Sequence, residues 1–371
     1  MVYLACVFLR SPILVADIFK WINNGDFIYY RAIKTLDVGM KNRLPARYNL
    51  ALDPQILLTT EKLQKALADT VTYYKASTGM DFPTCNYHLW LYRFVRDLNL
   101  PLEVYAATLR LANLLDIEFD LANQSPQHER LRALRPPENR LLVLLVIATK
   151  LLFPSDSQDR TPRRPIELAV LGFDWAAWNE ARRNMVSTRT NTTDMSYNQA
   201  LRTTDIDVVS MSEDKLDQYM DWYEKVYVEE QPKDTLKQRR EAGFRSAMYR
   251  MFPVSNPANA GDATTATIKE HTGSTDQDNA IKSSQARLRP LRVMSDQAVE
   301  DAYATVVRPG DHYERYRETE ELTGTAKVLY EEAASVVGMS VEALVQGVFA
   351  YEKRLEEWSK RRDVEDRDYT A

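Results

Sequence analysis

Leu141-Leu142-Val143-Leu144-Leu145-Val146-Ile147-Ala148-Thr149-Lys150-Leu151-Leu152-Phe153 is the stretch that decides the fold. Lys150 is its only charge. At about 13 residues it is too short for a membrane span, which needs roughly 18 to 20 apolar residues. A helix apolar on nearly every face must be wrapped by others, so this run predicts the central helix of a bundle. It opens at Arg135-Pro136-Pro137-Glu138. Upstream, Leu100-Pro101 starts another helix, with Glu103 in the first turn, where a carboxylate suits the dipole. Its apolar positions Leu102, Tyr105, Ala106, Leu109 and Ala112 recur at steps of mostly three and four. Asn86 to Asn99 predicts an amphipathic helix that buries Leu91, Phe94, Val95 and Leu98 and leaves Arg93, Arg96 and Asp97 towards solvent.

The rest of the chain fits an all-helical reading. With 371 residues there is room for two or more domains. Only 11 glycines argue against a Rossmann-type or β-rich enzyme. Two cysteines, Cys6 and Cys85, and four histidines neither frame a disulfide scaffold nor fill a zinc-finger-type site, which points to a reducing compartment. The net charge of -5 means that any DNA contact must come from a local basic patch. The apolar run Val2 to Leu9 is cut short by Arg10 and lacks a signal-peptide cleavage site. Ser255 to Gln285 is rich in Thr, Ser, Asn and Asp with almost no large apolar side chains, and reads as a disordered insertion. Structure resumes after Pro290. Ala326 to Trp358 reads as helical, punctuated by Gly338, with a fresh start at Ser340-Val341-Glu342-Ala343.

An internal repeat adds to this. Tyr3-Leu4-Ala5-Cys6-Val7-Phe8-Leu9 can be laid over Val146-Ile147-Ala148-Thr149-Lys150-Leu151-Leu152. Each run ends near a proline, Pro12 or Pro154. A short amphipathic segment follows, Val15 to Trp21 or Pro165 to Leu171. An aromatic-rich basic helix comes next, Phe27 to Leu36 or Trp175 to Met185. Two copies of one helical unit follow, the first beginning at its central helix.

Five-helix repeats around a buried central helix are the pattern of cyclin-like folds, including TFIIB. Residues 86–185 give one repeat in order, with a short fourth helix at Arg164 to Leu171 and a fifth at Trp175 to Met185. More closely, the sequence resembles the TFIIB-like subunit of the RNA polymerase I core factor, of fungal type. The stretches that carry this are Tyr3-Leu4-Ala5-Cys6 through Asp17-Ile18-Phe19-Lys20-Trp21, Leu100 to Tyr105, Leu144 to Leu151, Arg308-Pro309-Gly310-Asp311-His312-Tyr313-Glu314-Arg315-Tyr316-Arg317 and Gly338 to Val345. The resemblance implies an all-α chain with one partial and one complete repeat. The second half of the first repeat, with connecting helices, would occupy 1–80 and the second repeat 81–200. An acidic aromatic segment at 201–254, the insertion at 255–288 and a helical carboxy-terminal region at 289–371 would follow. It further implies a nuclear, nucleolar factor in RNA polymerase I initiation. Its partners would be the ribosomal DNA promoter, other core-factor subunits, TATA-binding protein and RNA polymerase I, with no membrane. The family's zinc ribbon and the start of its first repeat are not in this sequence, so no cofactor is expected here, and the chain reads as a fragment or truncated product.

Chemistry is sparse. There is no Walker loop, His-Glu-x-x-His, Gly-x-Ser-x-Gly or kinase signature, and no enzyme reaction is expected. His88 and the two cysteines read as packed or surface groups. Lys150, Arg160, Arg163, Arg164, Arg182, Arg183 and Arg189 form the candidate DNA-contacting group, since clustered cations displace counterions from phosphates. Helix-end arginines that satisfy carbonyls and cover apolar surface are the alternative. Tyr219, Trp222, Tyr223 and Tyr227 on the acidic stretch Ser212 to Asp234 are candidates for docking on a basic partner, or for packing on their own domain. A cyclin-like protein-interaction module or kinase regulator without promoter binding is the competing function.

Overall fold

The computed structural model describes residues 1–23, 27–30, 32–54, 58–121, 132–156, 158, 160–190, 211–227, 281–301 and 306–370. In chain order the helices are α1 (Val2–Phe8), α2 (Val15–Asn23), α3 (Val38–Arg43), α4 (Ala46–Leu52), α5 (Thr60–Thr78), α6 (Tyr87–Asp97), α7 (Glu103–Leu114) and α8 (Pro137–Leu152). They continue with α9 (Trp175–Thr190), α10 (Glu213–Tyr227), α11 (Asp296–Asp301), α12 (Gly324–Val337) and α13 (Val341–Thr370). The chain divides into two compact units. One combines Met1–Arg189 with Asn279–Ala371; the other is Thr190–Asp278, whose described helix is α10.

The expected all-α class is what the chain adopts. Helix α8 is buried on every face from Pro137 to Thr149. It packs against α6, α7, α12 and α13. The buried Thr149 hydroxyl donates to the Leu145 carbonyl at 2.8 Å, so it does not lose a partner inside the core. Helix α6 buries Trp90, Leu91, Phe94 and Val95, with Leu98 just beyond its end. Gly338 ends α12 in the left-handed conformation (φ 69°), and the Ser340 hydroxyl accepts from the Ala343 N–H at 3.3 Å to start α13.

Five features differ from the sequence expectation. First, the stripe on α7 is shifted: Val104, Thr108, Leu111 and Ala112 are buried, whereas Leu102 and Ala106 are exposed. Thr108 can face the core because its hydroxyl donates to the Val104 carbonyl at 2.7 Å. Second, Arg93 does not point freely to solvent. It makes a two-pronged pair with Asp17 (2.5 and 2.7 Å) that ties α6 to α2. Third, no helix forms at Arg164 to Leu171. A single 3-10 turn, Leu168–Val170, leads into a strand, β1 (Leu171–Phe173), antiparallel to β2 (Leu288–Pro290). Gly172 lets the strands close up, because a Cβ would lie 2.9 Å from Leu291 Cδ2. Likewise, 27–36 holds only the 3-10 turn Ala32–Thr35 among its described residues. Fourth, regular structure is present before Pro290: 281–285 is helical, Ser284 is buried, and β2 follows. The expected disorder at 255–280 lies outside the described residues. Fifth, the carboxy-terminal helices α12 and α13 supply part of the wrapping around α8.

Helix α13 approaches closely where it crosses α8. A Cβ on Gly347 would meet Leu134 Cδ2 at 2.9 Å and Val143 Cγ2 at 3.2 Å. Gly347→Val is therefore expected to cost about 1–3 kcal/mol through overpacking. The check is a lower urea midpoint with an unchanged m value.

Candidate functional site

The candidate site surrounds the carboxy-terminal end of α8, where the run Arg308 to Arg317 docks. Arg308 N donates to the Asp311 carboxylate at 3.0 Å, closing a turn in which Gly310 has φ 94°. Val307 pairs with Arg160 as an isolated parallel bridge, and Thr161 N donates to the Val307 carbonyl at 2.9 Å. The Arg160 guanidinium grips Asp156 with two 2.6 Å bonds and also donates to the Asp311 carbonyl at 3.2 Å. Its bonds to Arg160 hold the Asp156 carboxyl below the usual range.

Lys150 is internal. Its Nζ lies 2.7 Å from Glu352 Oε1, and the Tyr313 hydroxyl donates to the same oxygen at 2.8 Å. The ammonium also sits 4.7 Å and 4.6 Å from the ring centres of Tyr313 and Tyr316, in cation–π range. Burial lowers the Lys150 pKa, opposed by the Glu352 charge. Burial also raises the Tyr313 pKa, with Glu352 adding to the effect, so the phenol stays protonated as the donor. Arg315 pairs with Glu356 on α13.

The seven expected DNA-contacting residues therefore do not form one surface. Lys150, Arg160 and Arg182 are turned inward, and Arg182 donates to the Asp97 carbonyl at 2.5 Å. Arg163, Arg164 and Arg183 are exposed. The side chain of Arg189 lies outside the described residues. Strand pairing adds residues that sequence reading missed. Leu291 N donates to the Val170 carbonyl (2.7 Å) and Met294 N to the Pro162 carbonyl (3.1 Å), which draws 289–294 along 162–171. This places exposed Arg289 and Arg292 on the same segment pair as Arg163 and Arg164. The Arg163 and Arg289 side chains are 59% and 75% exposed; Asp296 (3.6 Å) and Asp174 (2.5 Å) partly balance them. The available signal was the alternation Arg287-Leu288-Arg289, then Arg292.

On α10, Tyr219 is half-buried and Tyr223 exposed, while the side chains of Trp222 and Tyr227 lie outside the described residues. His88 is exposed, 3.1 Å from the Tyr105 hydroxyl. Cys6 and Cys85 are free thiols. Burial pushes the Cys85 thiol up to about 12, which keeps it unreactive. Among the described residues, no cluster of three His, Cys, Asp or Glu side chains could hold a metal ion.

A buried central helix wrapped by neighbouring helices is the arrangement expected of a cyclin-like repeat. Residues 57–227 match the family described as Rrn7/TAF1B, C-terminal cyclin domain, and residues 1–37 match the family described as Rrn7/TAF1B, N-terminal cyclin domain. Together these cover more than half of the chain. The chain belongs to the Rrn7/TAF1B family. It is similar to the RNA polymerase I-specific transcription initiation factor rrn7 of Schizosaccharomyces pombe, at 24% identity over 187 residues. That match takes in 48% of this chain and spans 35% of the relative, about a third of its length. In fold it is similar to a chain in the crystal structure of the S. cerevisiae core factor. The TM-score is 0.50 at 16% identity, covering 97% of this chain and 80% of that one.

Proposed function

We propose that this chain acts in RNA polymerase I transcription initiation as a core-factor subunit. In this reading it binds the ribosomal DNA core promoter and helps recruit RNA polymerase I, in the nucleus and nucleolus. The observation that carries the reading is the presence, in order, of sequence matching both Rrn7/TAF1B cyclin domains. The other core-factor subunits and TATA-binding protein are the expected protein partners. The work is binding, and no reaction is assigned.

The exposed arginines beside the β1–β2 pair are the groups suited to phosphate. Guanidinium groups on an otherwise acidic chain can release counterions locally and fix register without reading bases. The triple variant R163Q/R164Q/R289Q is expected to weaken binding to a core-promoter duplex at least tenfold. It should also flatten the slope of log affinity against log salt by about 2–3. An unchanged slope, measured by fluorescence anisotropy between low and moderate salt, would remove these residues from the interface. Affinity purification of the tagged full-length protein tests the assembly. Core-factor subunits are expected; a protein kinase in their place would support a cyclin-like kinase regulator.

A further inference from the structure

Resting on the promoter-binding reading above, we propose that the turn Arg164 to Glu167 is a wedge. Ile166 enters the minor groove of promoter DNA and partly unstacks one base step, while the neighbouring arginines sit on phosphates.

Ile166 is 91% exposed, more than any other large apolar side chain among the described residues. Single apolar residues on a surface are common. This one stands at the tip of a fastened, basic turn. The Glu167 N–H donates to the Arg164 carbonyl at 3.2 Å, and Pro165 and Ile166 take the two corners between them. Proline suits the first corner. The second favours Gly, Asn, Asp or Ser, and an isoleucine there, burying almost no surface, adds nothing to the core.

The tip is held on both sides. The Glu167 carboxylate accepts from the Arg163 and Arg164 N–H groups at 3.3 and 3.2 Å. Thr161 N donates to the Val307 carbonyl (2.9 Å), Met294 N to the Pro162 carbonyl (3.1 Å) and Leu291 N to the Val170 carbonyl (2.7 Å). A wedge must keep its shape while stacked bases yield, and this network supplies that stiffness before binding.

Charge chooses DNA as the occupant. Residues 163–166 are all exposed, so Arg163 and Arg164 lead directly into the tip. Arg289, 75% exposed, lies on β2 opposite Gly172 of β1. Arginine is drawn to the negative potential of a narrow minor groove, and an inserted isoleucine kinks the duplex there. Its side chain has no hydrogen-bonding group and reads no base edge. Selection falls instead on steps that unstack readily, the pyrimidine–purine steps.

The test uses the full-length protein and a core-promoter duplex with 2-aminopurine at successive positions and a dye pair on its ends. Binding is expected to raise 2-aminopurine fluorescence at one step and to bring the ends closer. Ile166→Ser should abolish both changes and weaken affinity about tenfold, with the thermal midpoint and salt slope unchanged. Ile166→Leu should keep both changes. A mismatch at the affected step should tighten binding of the parent, because that step is already unstacked. Binding with no unstacked step, or unstacking that survives Ile166→Ser, would overturn the wedge and leave the promoter reading standing. Loss of a core-factor subunit from Ile166→Ser, with the duplex unstacked as before, would make the turn a protein contact and also overturn it. No binding of the duplex at all would overturn the promoter reading, and the wedge with it.

Discussion

Replacing Lys150 by alanine is expected to destabilise the protein by about 3–5 kcal/mol, far more than loss of a surface ion pair. The Glu352 side chain is 1% exposed and that of Lys150 12% exposed, so the pair is screened from water. One Glu352 oxygen accepts from both Lys150 and Tyr313, while its other oxygen has no partner. Alanine at 150 would leave a buried carboxylate facing one neutral phenol. The rings of Tyr313 and Tyr316 would also lose the ammonium between them. The control is K150M/E352Q. It removes both charges yet keeps an acceptor for the Tyr313 hydroxyl, and is expected to recover most of the loss. Urea unfolding followed by circular dichroism measures both. A loss below about 1 kcal/mol for K150A would mean that the pair behaves as a solvated one.

Stability is also expected to fall as pH rises from about 5 to 8, and E138Q is expected to abolish that fall. Glu138 lies in the first turn of α8 and is fully buried. Burial pushes its pKa up to about 8; the Val15 N–H, donating at 3.2 Å, and the Arg93 charge pull it down, while Asp17 pushes it up. The unfolded carboxyl ionises near 4.3. Between these values the folded state holds a proton that the unfolded state releases. The folded state is therefore favoured fully below the lower value, and this advantage is lost as pH climbs through about 8. Each pH step of one across that window costs about 1.4 kcal/mol, so the whole change amounts to a few kcal/mol. The same pH slope in wild type and E138Q would contradict the assignment.

Much of the fold was legible where a periodicity ran for several turns. The all-round apolar face of α8 announced a central helix, and Leu91, Phe94, Val95 and Leu98 announced the inner face of α6. Gly338 and Ser340 marked the break between α12 and α13 by their backbone and capping chemistry. What was not legible depends on distant pairing. A lysine at the end of an apolar helix looks like a cation for DNA until its carboxylate partner, 202 residues away, is brought beside it. Strands β1 and β2 have three residues each, too few for an alternation to register, so Arg289 and Arg292 could not be joined to Arg163 and Arg164. The fourth helix of the second repeat was inferred by analogy with the repeat pattern, and the chain runs instead through a 3-10 turn into a strand paired with a segment more than a hundred residues away. On Leu102 to Ala112 the apolar spacing pointed to one stripe, and packing on α8 buries another, Val104, Thr108, Leu111 and Ala112.

Promoter function is tested most simply by chromatin immunoprecipitation of the tagged, full-length protein. It should be enriched at ribosomal DNA core promoters and not within transcribed ribosomal sequence or at promoters of RNA polymerase II. Absence from ribosomal DNA promoters, in cells where RNA polymerase I itself is readily recovered there, would contradict a role in initiation.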